Sequence, residues 1–105
     1  ADASAQIDPG TTAQWYYEDM TIDSRPSLKN ANVPILEVAP YDPSIDARSP
    51  ASLPTAAAKQ SYYQSLLAGA PNAKVVIVTP SRHFMMYDRP AQLDAALAAF
   101  FQSLP

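Results

Sequence analysis

Few residues in this chain are able to carry proton-transfer chemistry. There is one histidine, His83, and no cysteine. Two aspartates, Asp42 and Asp46, stand 41 and 37 positions upstream of it in a proline-rich stretch. The ordinary pKa of an imidazole lies near neutrality, so a histidine serves in turn as general base and general acid. A carboxylate that accepts the Nδ1–H fixes the ring's tautomer and stabilises the imidazolium. His83 with Asp42, or with Asp46 in its place, is therefore a candidate acid–base pair. One histidine among scattered acids gives no metal-ligand spacing, and the absence of cysteine removes thiolate sites and disulfides.

The elements that would position this pair follow from the apolar pattern. Val33 to Ala39 (VPILEVA) is short, branched and bounded by Asn32 and Pro40, which predicts a strand with Pro34 at its start. Val75 to Val78 (VVIV) is apolar on both faces, as in a buried parallel strand. Between them, Ser52 to Ala68 predicts a helix capped by Ser52 and stopped by Gly69, with a stripe of Ala58, Tyr62, Leu66, Tyr63 and Leu67. A last helix begins near Pro90, with Asp88 as its cap. It carries an apolar face of Leu93, Ala96, Leu97, Phe100, Phe101 and Leu104. Residues 11–21 predict a helix capped by Thr11 or Thr12, whose Trp15, Tyr16 and Tyr17 are expected to pack in a core or interface. Pro26 opens a short helix in a polar connector, and residues 1–10 read as a flexible end.

Strands alternating with helices imply an α/β fold with a parallel sheet. In such sheets, sites form at the carboxyl ends of the strands. Asp42 follows the first strand and His83 the second, so two parallel strands bring both to one edge. Two parallel strands make a poor domain alone, and the chain is expected to complete a larger sheet. Ser81 and Arg82 read as loop residues, and Met85, Met86 and Tyr87 as packing for the histidine loop.

The totals set outer limits. One domain of modest core fits 105 residues. Seven basic residues scattered among ten acidic ones make no nucleic-acid footprint, and no apolar run is long enough to span a membrane. A soluble chain is expected, with cytoplasm and periplasm both open.

The arrangement resembles the C-terminal third of an α/β-hydrolase over about residues 21 to 105. Val33-Pro34-Ile35-Leu36 and then Asp42-Pro43 match the strand and acid of that family. His83-Phe84-Met85-Met86-Tyr87-Asp88-Arg89-Pro90 and the helix after it match its histidine loop and closing helix. The chain has Ala39-Pro40-Tyr41 and Arg82 where the family commonly has glycine before the acid and the histidine. It has no G-x-S-x-G elbow, and Ser81 lies too close to His83 to be the nucleophile of the family arrangement. The resemblance implies a serine hydrolase acting on a carboxylic ester or amide without a cofactor. His83 would be the base and Asp42 the acid, and the nucleophile would lie on a partner, an N-terminal α/β-hydrolase segment or chain. The other reading is a non-catalytic interaction module, or an inactive proteolytic fragment of such a fold.

Overall fold

The structure, a computed structural model, describes residues 7–49 and 53–105. The element order is α1 (Pro9–Thr21), a 3₁₀ helix (Arg25–Asn30), β1 (Ile35–Pro40), α2 (Pro43–Asp46), α3 (Ala56–Leu66), β2 (Ala73–Val78), α4 (Met85–Asp88) and α5 (Pro90–Gln102). β1 and β2 form one parallel pair in the register Ile35↔Ala73 to Pro40↔Val78. α3 and α5 pack on it, and α4 packs on α5. This is an α/β arrangement with flanking helices, as the alternating pattern implies.

Local chemistry explains the boundaries and several departures. β1 begins at Ile35, just after Pro34, because Pro34 has no N–H to donate; Ile35 supplies the first bond, to the Asn72 carbonyl at 3.0 Å. α1 begins earlier than the threonines suggest. Its N-cap is Asp8, whose carboxylate accepts from the Thr11 amide at 2.8 Å, with Pro9 in the first turn; Thr11 and Thr12 lie inside the helix. Pro26 does sit in the first turn of the 3₁₀ helix. Ser52, expected to cap α3, lies outside the described residues. The observed cap is Thr55, which accepts from the Ala58 amide at 3.0 Å. At the other end Leu67, not Gly69, is the C-cap, and neither described glycine adopts a positive φ.

The expected stripe of α3 turns partly inward at Ala58, Tyr63, Leu66 and Leu67, all half-buried. Tyr62 is exposed, however, and the most buried residue of the helix is Lys59, beside half-buried Ala56 and Gln60. Gln60 Nε2 donates to the Val75 carbonyl at 3.0 Å and so pins the helix to β2. On α5, Leu93, Ala96 and Phe100 turn partly inward, whereas Leu97, Leu104 and above all Phe101 remain exposed.

The core is small. Ala39, Tyr41, Leu53, Ala70, Val75 and Val78 are its buried apolar residues. The aromatic residues of α1 do not join it: Trp15 is 60% exposed and Tyr16 64%, and α1 shares no substantial packing with another element. The solvent-accessible surface is 7653 Å², against about 5,700 Å² for a compact monomer of 11.3 kDa. The radius of gyration is 16.4 Å, against about 13 Å for a compact chain of this length. The excess surface exceeds the roughly 800 Å² that one partner contributes to a standard protein interface.

The isolated 105 residues are therefore expected to bind a hydrophobic dye such as ANS and to associate as concentration rises through the micromolar range, read by sedimentation velocity. A dye-silent monomer with one cooperative melt would contradict this.

Candidate active-site cleft

The site is built where the ladder runs out. Beyond Pro40↔Val78, the backbone of Tyr41 continues the pairing. Its amide donates to the Val78 carbonyl at 2.9 Å, and its carbonyl accepts from the Ser81 amide at 2.9 Å. The Tyr41 side chain is 3% exposed and its hydroxyl donates to the Leu53 carbonyl at 3.3 Å. The loops after the two strands are thereby tied together, one residue before Asp42 and two before His83.

Asp42 and His83 line the same cleft of about 220 Å³, with Asp46, Lys59, Ser81 and Arg82. They are brought together without being hydrogen-bonded to each other. Asp42 is the N-cap of α2, and its Oδ1 accepts from the Ser44 amide at 2.8 Å and the Ser44 hydroxyl at 2.6 Å. Both bonds favour the ionised form and hold its carboxyl below the usual carboxylate range. Oδ2 has no hydrogen bond among the described residues. The His83 side chain is exposed; its ring meets Phe84 edge-on, with centroids 4.9 Å apart.

Asp46 is differently placed. Its Oδ1 accepts from Lys59 Nζ at 2.8 Å and its Oδ2 from the Asp42 amide at 2.7 Å. The Lys59 and Asp46 side chains are only 11% and 15% exposed. Both oxygens of Asp46 are thus engaged, and Asp42 is the acid with an oxygen to offer a histidine. Lys59 was not among the residues the sequence singled out. The one available signal was a lone cation within the α3 stretch AAAKQSYY.

The loop that carries His83 is clamped from the C-terminal side. Asp88 does not cap α5; Arg89 occupies that position. The Asp88 carboxylate instead accepts from the Arg82 amide at 2.9 Å and from Arg82 Nε at 3.4 Å. Arg89 Nε donates to the Pro80 carbonyl at 2.8 Å, and Gln92 Nε2 to the Thr79 carbonyl at 3.4 Å. Ser81 is buried and its hydroxyl donates to the Arg82 carbonyl at 2.9 Å, a structural role. Of the residues expected to pack on the loop, Met85 is half-buried and the Tyr87 ring meets that of Phe84 with centroids 6.3 Å apart. Met86 and Tyr87 stay largely exposed, so polar bonds add to a thin apolar packing.

Among the described residues no group of three or more His, Cys, Asp or Glu is placed to hold a metal ion, and no helix is long and apolar enough to cross a membrane. No family model, no curated protein and no solved structure matches the chain.

The bonds from Arg82 hold the Asp88 carboxyl below its ordinary value. A carboxylate with a lowered folded-state pKa contributes stability above its unfolded value and loses it as pH falls through the folded value. Asp88→Asn is therefore expected to speed hydrogen exchange at the Arg82 amide near neutral pH. The difference from the native chain should close as pH drops below about 4. A pH-independent difference would show that the charge plays no part.

Proposed function

We propose that the chain is the C-terminal segment of an α/β-hydrolase-like serine hydrolase acting on a carboxylic ester or amide. The observation that carries this reading is the shared cleft. Asp42 and His83, from loops after two parallel strands, line one depression, and the free oxygen of Asp42 lies on the acid that the resemblance selects. The sheet of only two strands and the large exposed surface support a fold that continues on another segment. The nucleophile would come from that segment.

In this reading His83 takes the proton of the serine hydroxyl as its oxygen attacks the substrate carbonyl, and the imidazolium then protonates the leaving alkoxide or amine. Water, deprotonated by His83, releases the acyl group in the second half-reaction. Asp42 would turn Oδ2 towards His83 Nδ1 to hold the tautomer with Nε2 free. The link to Ser44 leaves that oxygen available. A non-catalytic interaction module remains the second reading, favoured by the direct engagement of Asp42 with Ser44 instead of His83 and by the exposed aromatic residues of α1.

Material purified through this chain from its native source should carry a larger polypeptide that reacts with a fluorophosphonate probe. His83→Ala should slow that labelling by a factor on the order of 10⁴ or more, and Asp42→Asn by roughly 10²–10⁴. A stable partner that never labels favours the interaction module. The absence of both a partner and labelling removes the hydrolase reading.

A further inference from the structure

Beneath the candidate acid lies a closed polar ring that the acid–base pair itself does not require. Asp42 and Asp46 are bonded to each other twice. The Asp46 amide donates to the Asp42 carbonyl at 2.8 Å, and the Asp42 amide donates to Asp46 Oδ2 at 2.7 Å. This doubles the closure of the single turn α2, which at four residues is too short to hold its own shape. The second oxygen of Asp46 is taken by Lys59, thirteen residues on and in a different helix.

Lys59 is the buried member of α3, at 9% exposure, in a chain whose core is otherwise small and apolar. Burying an ammonium is costly unless a paired carboxylate offsets it, and Asp46 is the carboxylate that pairs with it. An apolar residue at position 59 would give α3 the same packing without that cost, so the cation does something that packing does not. What it touches is Asp46, and what Asp46 touches is the backbone of Asp42. Lys59, Asp46, Asp42 and His83 all line the same cleft.

We propose that Lys59 is a positioning residue. Through Asp46 it fixes the backbone of Asp42, and with it the direction in which the Asp42 carboxylate meets His83. Its effect on reactivity rests on the hydrolase reading; its effect on Asp42 does not. In this proposal Lys59 exchanges no proton with substrate.

Two readouts test it on the full chain and on the chain with its nucleophile-bearing partner. The first is the ¹H–¹⁵N resonance of the Asp42 amide. Lys59→Met and Asp46→Asn should both move it upfield and speed its hydrogen exchange, while Lys59→Arg, which keeps a charged donor, should leave it close to native. The second is the saturating rate of fluorophosphonate labelling. Lys59→Met should lower it on the order of 10- to 100-fold with the half-saturating probe concentration unchanged, and Lys59→Arg should recover most of the rate. An unmoved Asp42 amide in both Lys59→Met and Asp46→Asn overturns the proposal, as does a moved amide with an unchanged labelling rate. If Lys59→Met does not fold, Asp46→Asn and Lys59→Arg decide by the same criteria. If the native assembly never labels, the hydrolase reading fails by itself, and the Asp42 amide still decides whether Lys59 holds it.

Discussion

The backbone of Tyr41 is the point on which the rest of this structure turns. A two-stranded parallel ladder ends at Pro40↔Val78, and its loops would ordinarily diverge. Tyr41 prevents that by pairing on both sides, donating to Val78 and accepting from Ser81, while the hydroxyl of its buried side chain anchors the end of the proline-rich connection at Leu53. A backbone group buried here without a partner would cost free energy comparable to a lost hydrogen bond, so the two loops hold one arrangement. Everything chemically interesting follows within a few residues of this junction.

Two polar systems then divide the work around the cleft. On the β1 side, Asp46 and Ser44 engage Asp42, and Lys59 engages Asp46. On the β2 side, Asp88, Arg89 and Gln92 restrain the backbone of residues 79 to 82. The first system is partly buried at Asp46 and Lys59 and exposed at Ser44, and the second is exposed. His83 itself has an exposed ring against Phe84, placed at a surface instead of in a pocket. A surface histidine beside a rigidly held acid fits a cleft with one wall missing. The unpacked aromatic residues of α1 fit it too.

Much of the fold was legible along the chain because its signals are local. Branched apolar runs bounded by Asn and Pro marked both strands, and alternation with helices marked the parallel sheet. The common edge that holds Asp42 and His83 was legible because parallel strands send successive loops to one edge. Less legible was which of several candidate groups takes a given bond. Thr11 and Thr12 looked like caps, but Asp8 accepts the bond. Asp88 looked like a cap, but Arg82 lies within its reach across the loop. Four residues of the α3 stripe do turn partly inward, but Tyr62 does not and Lys59 does, because hydrophobicity alone ranks Tyr62 above Lys59 and the partner that makes Lys59 worth burying is thirteen residues away.

The sequence by itself determined the order and type of the elements, the mild acidity, the lack of thiol chemistry and the identity of the only imidazole. These depend on composition and on periods of a few residues. The tertiary structure decided the register that joins the two loops through Tyr41, the assignment of Asp46 to Lys59, the freedom of one oxygen on Asp42 and the bareness of α1. Each depends on which groups meet across the fold, where burial makes an unpaired charge or amide too costly to leave.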